Sequence, residues 1–256
     1  HIECSAMSMK YLGEHFDIHA GGIDLVFPHH ENEIAQSEAS TKKKFANYWF
    51  HNEHLLVDGH KMSKSLGNFY TLRDLLDKGY HAKAVRYLLL SANYKVQLNF
   101  TEEAVKAADS AVQRLNDFMV KLKEIKNNAK NRDIDKLIQK TKRQFDDAMD
   151  DDLNISSALS HIFEFVKEAN TSMMESKIGK NNAKKIINFM RDINKVLGIL
   201  EEKEKKLKPE FKKLIDEREK ARKEKDFARA DRIREELKQK GIVLEDTKEG
   251  VRWKKI

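Results

Sequence analysis

Across residues 101–200 apolar side chains recur in steps of three and four, with almost no Gly or Pro to interrupt them. Val105, Ala108, Val112, Leu115, Met119 and Leu122 form one stripe. Ile155, Leu159, Ile162 and Val166 form a second, and Ile186, Met190, Ile193, Leu197 and Leu200 a third. A repeat of about 3.6 residues brings such positions to one helix face, which is stable only when buried against another element. Thr101, followed by Glu102 and Glu103, supplies an acidic start that suits the positive end of a helix dipole. The spacing therefore predicts a helical bundle over residues 101–205.

The first hundred residues follow a different pattern. Nine of the ten histidines and six of the ten glycines lie within residues 1–81, so tight turns and titratable side chains concentrate there. "FDIHAGGIDLVFP" predicts a short strand, Phe16 to His19, entering a loop at Gly21 and Gly22. A helix then begins near Pro28, whose fixed φ suits a first helical position. "NYWFHNEHLLVDG" predicts another strand, and "HKMSKSLGNFYT" a polar loop before the next helix. Strands alternating with helices point to part of a parallel α/β sheet over residues 1–100. Beyond the bundle, "EEKEKKLKP" reads as a linker, Glu210 to Lys240 as a charged helical pair, and "GIVLEDTKEGVRWKK" as a hairpin. The predicted fold class is α/β followed by all-α, closed by a small helical and β-hairpin domain over 206–256.

Composition excludes several classes. The chain is 40% apolar and 36% charged, and no run approaches the roughly 20 apolar residues that span a bilayer. Cys4 is the single cysteine, which rules out an internal disulfide and fits a reducing compartment. A formal charge of +7 suits polyanionic partners. "HIECSAMSMK" lacks both a secretory pattern and an initiating Met, so further sequence is expected upstream.

Two clusters in the first third carry chemistry. In "FPHHENEIAQSEAS", His29 and Glu33 are four residues apart, so a helix presents both on one face. His30, three residues from Glu33, satisfies the same geometry. Cys4, upstream and expected near a strand, can bring a thiolate to either pair, and thiolate, imidazole and carboxylate are all zinc ligands. A histidine-rich helix start is more often solvated surface, and a lone cysteine more often a small buried apolar residue. In "KMSKS", two lysines three apart, two hydroxyls and flanking Gly59 and Gly67 describe a cationic loop. Lysine is a compact charge on a flexible stem, suited to following a phosphate during reaction. A solvated basic loop is the bland alternative.

Longer motifs decide between these readings. "KMSKS" before a helix resembles the signature of class I aminoacyl-tRNA synthetases. "HIECSAMSM", "FDIHAGGIDLVFPHHENEIAQSEA", "DGHKMSKSLGNFYTLRDLL", "AMDDDLNISSAL" and "GIVLEDTKEGVRWKK" together resemble the cysteinyl-tRNA synthetase family, over essentially the whole chain. The resemblance implies a class I Rossmann-type catalytic part, a helical bundle and an anticodon-binding domain. It implies a single zinc held by Cys4, His29, Glu33 and a second cysteine that this sequence lacks. It also implies that the zinc binds the substrate thiolate. Serine differs only by oxygen for sulfur, and rejecting it about 10⁴-fold takes roughly 5.5 kcal/mol, beyond ordinary pocket fitting for near-isosteres.

By the same resemblance His19 lines the amino-acid pocket, and Gly21, Gly22 and Asp24 match the "GGxD" segment beside ATP. Lys61 and Lys64 are the catalytic lysines, acting on phosphate charge while cysteine attacks ATP, with Mg2+ accompanying the nucleotide. Arg222, Asp231 and Asp246 are candidate contacts to the anticodon of cysteine tRNA. The expected partners are cysteine, ATP and cysteine tRNA, with no membrane, and the expected state is a monomer in the cytoplasm. The family's "HIGH" motif is absent from this sequence, which is expected to be the C-terminal part of the enzyme, inactive alone. Two alternatives stand beside this reading: a non-catalytic tRNA- or zinc-binding fragment, and the related ligase that joins cysteine to an amino sugar. The second has no use for an anticodon-binding tail.

Overall fold

A computed structural model describes residues 1–201, 209–224, 226–247 and 250–255, and for 209, 245–247, 250 and 252–255 it describes the backbone alone. The chain divides into two compact units, His1–Leu200 and Glu201–Ile256. Most of the linker expected at 201–209 lies outside the described residues.

In the first unit, helix α1 (Ile2–Leu12) leads to strand β1 (Phe16–Gly22), helix α2 (Glu31–Thr41) and strand β2 (Ala46–Asn52). β1 and β2 pair in parallel, with His19 opposite Trp49 and Gly21 opposite His51. The strand thus runs through Gly21 and Gly22, where the sequence predicts a loop. Alternate residues point to opposite faces. Ile18 and its partner Tyr48 share one face and are 64% and 70% exposed, while His19, Trp49 and His51 share the other. Helical backbone begins at Pro28, as predicted, in an irregular turn of Pro28 to His30 that leads into α2. Phe27 is extended (φ −134°, ψ 132°), and α2 starts at Glu31.

The stretch predicted as one strand, Asn47 to Gly59, holds most of β2 and a second strand in another sheet. Strand β3 (Leu55–Val57) pairs antiparallel with β4 (His60–Lys61) and parallel with β5 (Leu98–Phe100). Asp58 and Gly59, both at positive φ (50° and 77°), form the two-residue turn between β3 and β4. Asp-Gly is a strong local signal for such a turn, because both positions need left-handed backbone. Helices α3 (Leu72–Asp77) and α4 (Ala82–Ser91) follow. Thr71 and Asp74 cap α3 reciprocally, each side chain taking the other's backbone N–H.

The bundle consists of α5 (Glu102–Glu124), α6 (Asp133–Asp150), α7 (Ile155–Met174) and α8 (Lys180–Leu197). Its core contains Leu115, Phe118, Leu122, Ile162, Phe165, Ile186 and Met190, all at most 1% exposed. Burial of each such side chain contributes about 1.5–3 kcal/mol. Thr101 caps α5 by accepting the Ala104 N–H. The carbonyl end of α8 is held by α4. Arg86 Nε donates to the Leu197 carbonyl and Lys83 Nζ to that of Gly198, both at 2.5 Å, so cations satisfy carbonyls the helix leaves unpaired. Gly198 has φ +65°, and a β-carbon there would lie 2.9 Å from Arg86 Nε.

The second unit packs helices α9 (Pro209–Lys223) and α10 (Phe227–Gln239) together, followed by an antiparallel hairpin of β6 (Ile242–Thr247) and β7 (Gly250–Lys255). Ile215, Ile233, Leu237, Ile242 and Leu244 form its small core. Among the described residues no helix is long and apolar enough to cross a membrane.

Candidate functional site

Cys4, His29 and Glu33 offer donor atoms that all lie within 4.8 Å of one another. Cys4 sits on α1 rather than near a strand, and α1 is tied to α2 where Ser5 Oγ donates to Gln36 Oε1 at 2.9 Å. Glu33 is wholly buried. Its Oε2 accepts from His19 Nε2 at 2.6 Å. Its Oε1 lies 3.2 Å from His29 Nε2, yet the alignment is not that of a hydrogen bond and Oε1 has no donor. A buried acceptor without a partner costs about 1–3 kcal/mol. Two electron-pair donors facing each other beside a thiol are the arrangement a soft cation resolves, so the residues present fit zinc.

A second donor set, His19, His30 and Glu33, is equally compact. Each of its two imidazoles already has one nitrogen engaged. His19 is bonded to Glu33, and His30 Nδ1 lies 2.8 Å from His51 Nε2. This separates His29 from His30, which sequence spacing leaves equivalent. His30 is 3% exposed. Burial, with His19 beside it, pushes its pKa below the ordinary imidazole value, while Glu33 pulls the other way. The histidines stack around Trp49, whose ring centroid is 4.6 Å from that of His19 and 5.0 Å from that of His30. His51 and Trp49 emerge as members of this cluster that the sequence did not single out. Their alternate spacing on a predicted strand was the available signal.

Gly21 is explained by the same cluster. A β-carbon there would lie 2.6 Å from His30 Cε1, so only glycine lets the imidazole cover the strand. At Gly22 a β-carbon would meet Asp24 Oδ1 at 2.5 Å. Asp24 itself sits on the short turn after β1.

The lysine segment is more ordered than a simple loop. Lys61 lies on β4, and Lys64 on the turn after it, with Nζ 5.6 Å from the Phe69 ring centroid. Both lysines are exposed. Asn68, which the sequence reading passed over, cinches the turn: Oδ1 accepts the Ser63 N–H at 2.8 Å and Nδ2 donates to the Lys61 carbonyl at 3.2 Å. The Gly67 N–H donates to the Lys64 carbonyl at 3.1 Å, with φ +67° at Gly67. The turn thus presents Lys64 from a backbone closed on itself, with the charge left in solvent.

In the second unit Arg222 is exposed on α9 and Asp231 is exposed on α10. Asp246 lies on the backbone of β6, and its side chain falls outside the described residues.

Family models match three segments. Residues 1–110 match the tRNA synthetases class I (C) catalytic domain, 144–201 the DALR domain, and 204–253 the cysteinyl-tRNA ligase anticodon binding domain. The whole chain is 50% identical to 55% of the length of the cysteine–tRNA ligase of Brachyspira hyodysenteriae. It is 48% identical to 54% of that of Protochlamydia amoebophila. It therefore spans about half the length of the curated relatives it matches. The LeuRS of Agrobacterium radiobacter, solved in a ternary complex with tRNA and LeuAMS, shares 17% identity at a TM-score of 0.57. The match covers 70% of this chain and 25% of that one, a likeness of fold alone. With matched segments in order along the chain and near-half identity to cysteine–tRNA ligases throughout, this chain belongs to the cysteinyl-tRNA synthetase family.

Proposed function

We propose that the protein joins cysteine to its tRNA through a cysteinyl-adenylate, with zinc selecting the substrate thiolate. The observation that carries the zinc assignment is Glu33 Oε1, buried and without a donor beside His29 and within reach of Cys4. In this reading Cys4, His29 and Glu33 hold a single zinc, which supplies a Lewis acid that favours a thiolate over a hydroxyl. His19 fixes the Glu33 carboxylate through Oε2, the outer support that metal-bound groups commonly need. The same ring faces the amino-acid pocket.

Gly21, Gly22 and Asp24 lie beside ATP, which carries Mg2+. Lys61 and Lys64 neutralise charge that develops on the phosphates as the cysteine carboxylate attacks. Residues 1–100 form the catalytic part, 101–205 the bundle and 206–256 the domain that reads the anticodon through Arg222, Asp231 and Asp246. The protein works as a cytoplasmic monomer. Ile18 and Tyr48, exposed side by side on the β1–β2 pair, are an apolar surface that further sheet can cover.

The experiment is metal analysis of the full-length protein together with cysteine-dependent ATP–pyrophosphate exchange. Stoichiometric zinc and exchange specific for cysteine are expected. Exchange with serine at a comparable rate, or absence of zinc, overturns the reading. Transfer of cysteine to an amino sugar in place of tRNA would favour the alternative ligase.

A further inference from the structure

The segment joining α6 to α7 has a backbone that its sequence does not favour. Asp152 and Leu153 both lie in the left-handed region, at φ +51° and +55°. Single Asp residues visit that region readily, but a leucine there is an outlier, and two successive non-glycine residues need a surrounding structure that holds them. Part of that hold is local: Asn154 Oδ1 accepts the Ser157 N–H and starts α7. The rest comes from the α/β part of the same unit. Asp152 Oδ1 accepts the Tyr94 hydroxyl at 2.7 Å and Oδ2 accepts Lys95 Nζ at 2.5 Å. Ser156 Oγ donates to the Ser91 carbonyl at 3.0 Å.

Tyr94 carries the contact onward. Its ring stacks on Phe50 with centroids 3.9 Å apart and planes 19° from parallel. Its carbonyl accepts the Glu53 N–H at 2.8 Å, just past the end of β2. Phe50 lies between Trp49 and His51 on that strand, so its side chain points to the opposite face. The carboxyl end of β2 is therefore held from both sides. On one face His51 meets His30 and stacks near Trp49; on the other Tyr94 presses on Phe50, with Asp152 fixing its hydroxyl.

We propose that Asp152 is a positioning residue for the His51–His30 pair, acting through Tyr94 and the end of β2. The pair packs against His19, which the function proposed above places beside the amino-acid pocket, and its placement is measurable without that function. In a Trp253→Phe background, Trp49 is the one remaining indole, and it stacks on His19 and against His30 and His51.

Acrylamide quenching of Trp49 in this chain is expected to at least double on Asp152→Ala. Asp152→Asn retains an acceptor for the tyrosine and should restore quenching to near the parent value. Tyr94→Phe, which keeps the stacked ring and removes only the hydroxyl, should reproduce Asp152→Ala even if that variant folds poorly. Lys95→Met, which leaves the tyrosine bond intact, should change little. In the full-length protein Asp152→Ala should lower kcat of cysteine-dependent exchange about tenfold, with the KM for ATP unchanged. Unaltered Trp49 quenching in a folded Tyr94→Phe variant overturns the proposal, as does failure of Asp152→Asn to rescue. If the full-length protein shows no exchange at all, the functional reading fails and the Trp49 result still decides this one.

Discussion

Replacing Glu33 by Gln should shift stability in opposite directions with and without zinc. In the metal-free chain Glu33 Oε1 is buried, has no donor, and faces His29 Nε2 across 3.2 Å. The amide can place an N–H where Oε1 stands and, with a small rotation of the part-exposed His29 ring, donate to that imidazole while its oxygen still accepts from His19. Relief of an unsatisfied buried acceptor is worth about 1–2 kcal/mol. The unit that contains it runs from His1 to Leu200, and for a unit of that size 1 kcal/mol moves the melting midpoint roughly 2–4 °C. Metal-free Glu33→Gln should thus melt about 2–8 °C higher than the parent.

Zinc reverses the advantage. At a concentration a hundred times its Kd, zinc stabilises the parent by about 2.7 kcal/mol, or roughly 5–11 °C. Loss of an outer partner of a metal-bound group already costs up to about 100-fold in affinity. A directly bound carboxylate should cost at least as much. At the same zinc concentration the variant then gains only about 0.4 kcal/mol. The assay is thermal melting with and without chelator, alongside competition titration for zinc. A metal-free variant less stable than the parent, or an undiminished zinc increment, would refute the assignment of Oε1 to the metal.

Cys4→Ala should abolish stoichiometric zinc in the full-length protein while leaving the fold intact by circular dichroism, as Cys4 is only partly buried. Lys64→Ala should lower kcat for adenylate formation by about 10²-fold, the scale for one electrostatic donor to a transition state, with little change in KM for cysteine. A pure loss of cysteine affinity would contradict that role. Ile186→Ala, at a fully buried bundle position, should cost about 2–5 kcal/mol in denaturant unfolding without moving zinc affinity. The Lys95–Asp152 pair predicts a pH dependence. Bonds from Lys95 and Tyr94 hold the Asp152 pKa below its ordinary value, and the Asp152 bond holds that of Lys95 above its own. The contribution is therefore present across neutral pH. It is lost as pH falls through the folded carboxyl, below the usual aspartate value of about 3.9, and again as pH rises past the usual lysine range. The difference in melting midpoint between parent and Asp152→Asn should be flat near neutrality and shrink at both ends.

How much of this was legible in the sequence depends on how local its cause is. The bundle stripes were readable because burial on a helix is periodic. Val105, Leu115, Ile162, Ile186 and Ile193 are buried as the spacing requires. The motif resemblance likewise gave the family and the candidate ligands together. Strand ends were less legible. Gly21 and Gly22 signal a loop by propensity, but Gly21 lies within a strand because His30 needs the space above it. The Asp58-Gly59 turn was a local signal that went unused.

The distinction between His29 and His30 was not local at all. Both suit the helical spacing to Glu33, and the choice depends on His51, 21 residues beyond His30 in sequence, which engages one ring and leaves the other facing the carboxylate. The hold on β2 is longer in range still, since Tyr94 and Asp152 are 58 residues apart and neither belongs to a periodic pattern. In "AMDDDLNISSAL" the sequence carries the family likeness, whereas the reason for Asp152 becomes visible only when α7 is placed beside the end of α4. A contact of that kind has no signature in composition or spacing, because its partner is chosen by topology. Its local trace is the left-handed backbone at Asp152 and Leu153, a conformation that propensity would assign to glycine and that neither residue type announces.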